Sequence, residues 1–425
     1  MESGDGLAMI RLPWLEQSIF HTFLITLLVM PFSITLNEIF MGLTILSWVV
    51  KLAVRKERIN IPPLGWFFLI FLFVSIASAV ASDYKFQGLR GVWDVTRYTI
   101  TFILVIDIIQ SPEQVKKVLW TLGFSTGIWV ITGMIHQFLI AKRELFGLLK
   151  FFSLGNKNSI GQYLQMVLSL TIGLLLNNSF SSREKGVWIS ISLVSLFALF
   201  LSGSKTMWVA FVLTLFIFAF LKRSHKVLIG TGCLILLFVA AAFISGQVRD
   251  MGFSILKAME APSMQIRYTG WKQCYHMFID NPLLGVGPKC FMLARDKYNI
   301  ISDFGQAHNM VLQVACEMGI IGIGSLISWV VFYIYFIATY RKKVRDPIYL
   351  GIWFGGVGYL VTLAIGGITE PTIGGEHSQL FMTLVGLMHV GLESNGKDCG
   401  KIHEVVKSPQ NDGFAKSSKC KARKN

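Results

Sequence analysis

His308 stands where a polar stretch gives way to an apolar one, in the sequence Ala307-His308-Asn309-Met310-Val311-Leu312. A hydroxyl with a pKa far above 7 needs a base before it can attack an electrophile, and histidine is the side chain type whose ordinary pKa suits that task near neutrality. Arg267 opens the segment RYTGWKQCYHMFID at 267–280, in which Arg267, Trp271, Tyr275 and Phe278 fall on one side of a helix that Asn281-Pro282 ends. Lys205 follows Ser202-Gly203-Ser204 at the opening of another apolar run. Together such groups can take a proton from a nucleophile and steady the negative charge that develops on a leaving group. Arg90 and Arg97 are second-line candidates for the electrostatic part, and Asn309 and Glu370 for orienting the base or an acceptor. His136, His276 and His377 are read as structural. Each chemical candidate has a plainer alternative: a helix cap for His308, the surface of an amphipathic helix for Arg267, a snorkelling interfacial lysine for Lys205. The chemical reading is favoured because the required residue types recur at one level of the molecule.

That level is set by the elements around them. The chain has 425 residues, 53% hydrophobic and only 15% charged, with a mean hydropathy of +0.58. An ordinary soluble protein carries about 25% charged residues, and the polar surface that two or three soluble cores would need is missing. Uncharged runs at 59–82, 118–141, 158–182, 186–204, 227–248, 318–340 and 347–369 are each close to or above the ~20 apolar residues that carry a helix across a bilayer. Weaker runs at 17–36, 39–54, 97–109, 206–221 and 377–392 bring the expected number of spans to about twelve. None of the runs alternates every second residue, which excludes an outer-membrane barrel. The expected fold is an all-α, polytopic membrane protein. Nine helices occupy 1–244, a large outer loop with short helices 245–306, three more helices 307–392, and a basic disordered tail 393–425.

The formal charge of +15 does not point to nucleic acid, because the basic residues cluster between apolar runs and no basic groove is interleaved with stacking aromatics. With the large loop and the tail set aside, placing the N-terminus in the cytoplasm puts 16 Lys and Arg inside against 8 outside, so both termini are expected to be cytoplasmic. No cleavable signal peptide is read at the N-terminus. The expected spans carry almost no charge near their midplanes, which argues against a transporter or flippase, and the unusual polar groups gather at the outer ends instead. Cys233 and Cys316 read as packing residues and Cys399 and Cys420 fall in the tail. Cys274 and Cys290 share the outer loop, and a disulfide between them is left open.

Three blocks now carry a resemblance. R-x-x-x-W from Arg267, N-P-x-x-G-V-G-P-x-x-F from Asn281, and H-N-x-x-L-x-x-x-x-E-x-G-I-I-G from His308 resemble the O-antigen ligase and polymerase superfamily of the bacterial inner membrane. Gly155-Asn156-Lys157-Asn158 and Ser202-Gly203-Ser204-Lys205-Thr206 are similar to two further family segments. One departure is Lys205, where the family often has arginine; lysine keeps the charge and loses the fork that grips phosphate oxygens in pairs. The resemblance implies glycosyl transfer, with inversion, from an undecaprenyl-pyrophosphate-linked glycan on the periplasmic face, without metal, nucleotide sugar or other cofactor. In a ligase the acceptor is a sugar hydroxyl of lipid A–core; in a polymerase it is a second lipid-linked glycan; in a third branch it is a protein hydroxyl. His308 would then be the base, with Arg267 and Lys205, and behind them Arg90 and Arg97, on the donor pyrophosphate.

Overall fold

The computed structural model describes residues 13–56, 59–140, 157–244, 262–298 and 306–407. Asn156, residues 245–261 and 299–305 of the expected outer loop, and the tail beyond 407 lie outside the described residues. The described chain is built from helices: α1 (Pro13–Val29), α2 (Ile34–Arg55), α3 (Pro63–Ala81), α4 (Lys85–Ile108), α5 (Pro112–Ile135), α6 (Lys157–Leu176), α7 (Ser182–Leu201), α8 (Lys205–Lys222), α9 (His225–Ile244), α10 (Pro262–Asp280), the short α11 (Phe291–Ala294), α12 (Met310–Lys343), α13 (Pro347–Val361) and α14 (Gly375–Lys407). Single π turns extend α5 (His136–Ile140) and α13 (Thr362–Gly366).

Among the described residues eight helices are long and apolar enough to cross a bilayer: α2, α3, α5 to α8, α12 and α13. The other expected spans differ for local reasons. The run at 17–36 is interrupted by Pro31, and Ser33 caps the new helix by accepting from the Leu36 N–H (3.3 Å), so α1 ends at Val29. The run at 97–109 is only the second half of α4, whose first half carries Lys85, Arg90 and Asp94. At the other end of the chain α14 continues past 392 to Lys407, where a disordered tail was expected, since no proline interrupts the sequence between 371 and 409.

Two packing devices position the polar end of the bundle. The first is a close antiparallel seam between α6 and α13, the most buried of the eight helices. A Cβ at Gly173 would lie 2.6 Å from the Gly351 carbonyl oxygen, and one at Gly351 would lie 2.8 Å from the Leu174 Cα. Small residues let these backbones approach without side chains between them, which suits helices that must associate where water exclusion gives little drive. The seam brings the start of α6 and the chain just after α13 to the same end. Gln165 on α6 donates to the Thr214 hydroxyl on α8 (2.9 Å) and accepts from the Thr362 hydroxyl, tying a third helix to the seam.

The second device seats the segment after α10 on α12. Val286 and Gly287 N–H groups donate to the carbonyls of Cys316 and Glu317 (both 2.9 Å), and Ile320 N–H donates to the Pro282 carbonyl (2.8 Å). The exchange is possible because Gly319 breaks α12 with φ 65° and ψ −162°. A Cβ at Gly319 would stand 2.3 Å from the Leu283 carbonyl oxygen, so a bare backbone is required there. The Ser78 hydroxyl of α3 lies 2.7 and 2.8 Å from the Leu284 and Glu317 carbonyls, and Ser82 donates to the Val286 carbonyl. The Gly285–Pro288 segment is therefore a plug wedged between α3, α4 and α12. It fixes the end of α10 that lies closest to it.

Cys274 and Cys290 are both buried free thiols. Cys274 lies within hydrogen-bonding reach of Cys316, while Cys290 packs beside the Ser82 hydroxyl (3.7 Å), so the two occupy different contacts.

Candidate functional site

Glu370 follows the π turn of α13, where its N–H donates to the Gly366 carbonyl (2.9 Å). Its side chain is 7% exposed, and four side chains from three other segments converge on the carboxylate. His308 Nδ1 lies 2.8 Å from Oε1, Asn158 of α6 donates to the same oxygen at 2.6 Å, and Arg267 of α10 approaches it with Nη2 at 3.6 Å. Gln306 donates to Oε2. An ionised carboxylate taken out of water is costly unless charge and hydrogen bonds replace the lost hydration, and this one has both.

His308 is held as tightly by its backbone. It adopts φ 49°, a left-handed conformation uncommon for a residue with a Cβ, and such conformations persist where surrounding contacts over-determine them. Those contacts lie on both flanks. The Ala307 N–H donates to Gln313 Oε1 (2.6 Å) and the Ala307 carbonyl accepts from the Trp271 indole (2.9 Å). Asn309 caps α12 by accepting from the Leu312 N–H (3.0 Å), and its amide reaches the Ile368 carbonyl (3.4 Å), while the Met310 N–H donates to the Gly367 carbonyl (2.8 Å). Asn309 thus acts as a cap and a tether to the segment that carries Glu370. A carboxylate only accepts hydrogen bonds, so the neutral imidazole that matches this contact is the one with its proton on Nδ1 and its lone pair on Nε2. That is the tautomer a base requires.

Lys205 begins α8 beside Ser204, whose hydroxyl donates to Asn158 Oδ1 (3.1 Å), making a continuous chain Ser204–Asn158–Glu370–His308. Gly161 keeps this approach close: a Cβ there would meet the Ser204 Cβ at 2.8 Å. Thr369 donates to the Thr206 hydroxyl (3.2 Å). Lys157, the first residue of α6, is near enough to Lys205 for the two charges to repel. Two helix N-termini, each led by a lysine, therefore face the same end of the bundle, an arrangement suited to a phosphate group.

Among the expected site residues, His308 and Arg267 each contact Glu370, Lys205 adjoins them through Ser204, and Asn309 holds the backbone. Arg97 and Arg90 are engaged elsewhere. Arg97, 4% exposed, binds Glu38 (3.2 Å), Asp94 (3.5 Å) and the Tyr98 hydroxyl (3.2 Å), and Asp94 in turn pairs with Lys289 of the plug. Arg90 lies exposed with its guanidinium 4.7 Å from the Phe86 ring centre. Among the described residues neither arginine is joined to the Glu370 cluster by a hydrogen bond or ion pair. Gln306, an amide in a polar loop, was not singled out from sequence, and Lys157 and Asn158 were noted in a segment similar to the family but given no role. The last two did carry a signal, a cation and an amide at the start of an apolar run.

Residues 190–327 match the family model described as O-antigen ligase. The matched stretch contains Lys205, Arg267 and His308, and stops short of Asn158 on one side and Glu370 on the other. No curated protein matches the chain.

Proposed function

We propose that the protein is a multi-pass glycosyltransferase of the O-antigen ligase type. In this reading it transfers a polysaccharide from undecaprenyl pyrophosphate to a sugar hydroxyl of lipid A–core at the periplasmic face of the bacterial inner membrane. The single observation that carries the reading is the clasp of one buried carboxylate on both a histidine and an arginine, beside a second cation at a helix N-terminus. The match over 190–327 supports the same class of lipid-linked glycan chemistry.

The mechanism follows from the geometry. The acceptor hydroxyl attacks the anomeric carbon while His308 Nε2 takes its proton, and Glu370 steadies the imidazolium that forms. The bond from the anomeric carbon to the donor phosphate breaks on the opposite face, so the configuration inverts. Negative charge grows on the departing undecaprenyl pyrophosphate, where Arg267, Lys205, Lys157 and the starts of α6 and α8 oppose it. No nucleotide sugar or metal enters this scheme.

The test is deletion of the gene followed by a lipopolysaccharide gel. Loss of all O-polysaccharide from lipid A–core, with lipid-linked polymer still accumulating, is the expected outcome. A core that carries one repeat would assign the protein as a polymerase of the same superfamily, with a second lipid-linked glycan as its acceptor. An unchanged gel would refute both.

A further inference from the structure

Glu317 is a buried carboxylate that the proposed chemistry does not use. It stands on the part of α12 before the Gly319 break, where the chain leaving the plug brings it two backbone donors, the Phe291 N–H (3.3 Å) and the Lys289 N–H. Lys289 has φ 59°, and Cys290 after it has φ −92° and ψ −4°, a left-handed residue followed by a right-handed one. Such a pair turns neighbouring N–H groups toward one anion, and here the Glu317 carboxylate is that anion. A third donor is the side-chain amide of Gln313, one helical turn earlier on the same face of α12.

A glutamine amide has one donor end and one acceptor end, and a carboxylate only accepts. The NH₂ group of Gln313 is therefore turned to Glu317, which leaves its Oε1 to receive the Ala307 N–H at 2.6 Å. The peptide so held joins Ala307, the residue before His308, to Gln306, which donates to Glu370 Oε2. An unbroken chain of hydrogen bonds thus runs from the plug, through Glu317 and Gln313, to the backbone that presents both Gln306 and His308 to Glu370. We propose that Glu317 is a positioning residue, which acts through the Gln313 amide to keep the left-handed backbone of His308, and so its imidazole, in place on Glu370. It works through other protein groups and not on the substrate. This inference rests on the proposed reading of the Glu370 site and adds what holds the base there.

The experiment uses the full chain in nanodiscs and reads two quantities: turnover of an undecaprenyl-pyrophosphate glycan, and deuterium uptake at the Ala307 amide, which needs no substrate. Glu317→Gln offers Gln313 an acceptor and a donor alike, so the Gln313 amide can turn over and meet the Ala307 N–H donor to donor. The expected result is a kcat per folded molecule about ten-fold lower with KM unchanged, and uptake at Ala307 about ten-fold faster, the effect of one buried hydrogen bond left unmade. Gln313→Ala, which leaves the backbone donors on Glu317, is expected to do the same. Gln313→Glu combined with Glu317→Gln exchanges the two groups: the carboxylate at 313 accepts from both Ala307 and the amide at 317, whose oxygen stays with the Phe291 N–H. That pair is expected to recover most of both losses, which neither substitution does alone. Wild-type kcat and uptake in Gln313→Ala, or a paired variant no better than Glu317→Gln, overturns the relay. A wild-type protein that transfers glycan neither to lipid A–core nor to a second lipid-linked glycan refutes the reading of the Glu370 site, and the uptake at Ala307 then decides the relay by itself.

Discussion

At the scale of the residue, Glu370 joins His308, the proposed base, to the cation of Arg267. Replacing it by glutamine keeps the shape and removes the charge, so the histidine loses a charge-assisted bond worth about 1–2 kcal/mol more than a neutral one, roughly a ten-fold loss in kcat. Glu370→Gln should therefore slow turnover with little change in KM. His308→Ala removes the base and should lower the rate by about 10²–10⁴-fold without loss of membrane insertion. His377→Ala is the control: His377 is buried with Nε2 against the Thr372 carbonyl (3.1 Å), and turnover per folded molecule should survive its loss. Arg267→Lys should be damaging because a point charge cannot replace the guanidinium fork, whereas Lys205→Arg should be tolerated and Lys205→Ala impaired. All are measured with purified protein, a synthetic undecaprenyl-pyrophosphate glycan and an acceptor, in chelator. Near wild-type turnover by His308→Ala refutes the base, and activity restored only by Mg²⁺ or Mn²⁺ refutes the metal-free scheme. His308, Arg267, Lys205 and Glu370 were legible in sequence because their types are unusual at the edges of apolar runs. Their partnership with Asn158 was not, since a contact between residues 212 apart depends on the α6–α13 seam. Arg97 shows the converse: its type and position suggested phosphate, and only the fold reveals that Glu38, Asp94 and Tyr98 already engage it.

At the scale of the element, the plug after α10 seats that helix on α12, which carries Arg267 toward Glu370. Gly319→Ala would force a Cβ against the Leu283 carbonyl at a φ of 65°, costing about 1–3 kcal/mol or unseating the plug. Gly324, in the same helix, has open space around its Cβ position, so Gly324→Ala should be neutral or slightly stabilising. Melting of the two variants in detergent checks the contrast; equal melting temperatures would mean the plug does not constrain α12. The thiols beneath the plug give a second probe. Burial pushes the Cys290 thiol up from its ordinary range, so at pH 8 less of it is the reactive thiolate, and its alkylation in the native protein should lag until more alkaline pH. Under denaturing, non-reducing conditions both Cys274 and Cys290 should be modified. A failure of both to react until reductant is added would establish the disulfide that the sequence left open. Apolar runs announced most of the helices. They did not announce the Gly319 break, because a glycine inside a long apolar run looks the same whether the helix bends there or not.

At the scale of the whole molecule, the connectivity can be followed from one end of the bundle to the other. Ser82 bonds to the plug, so the α3–α4 link lies at the His308 end, and Glu16 pairs with Arg55, so the start of α1 and the finish of α2 share an end. The starts of α6, α8 and α12 and the chain after α13 all meet at Glu370 or beside it. Helix α9 must then return the chain from the far end of α8 to α10, although only its stretch His225–Leu237 counts as a short apolar helix. If α1, α4, α9 and α14 also cross, along with the eight apolar helices, the spans number the expected twelve and their ends would alternate. We therefore expect the start of α1 and the far end of α14 to lie opposite His308. From the excess of basic residues in the short loops opposite His308 we expect that side to face the cytoplasm. In a cysteine-free background Met292→Cys, exposed beside the plug, should react with an impermeant reagent on intact cells whose outer membrane has been permeabilised. Lys342→Cys, exposed at the end of α12, should react only after lysis. The reverse pattern would invert the topology and put the Glu370 cluster on the cytoplasmic side, where a periplasmic acceptor could not reach it. Labelling of both positions in intact cells would mean that α12 does not cross, and the alternation would fail at that helix.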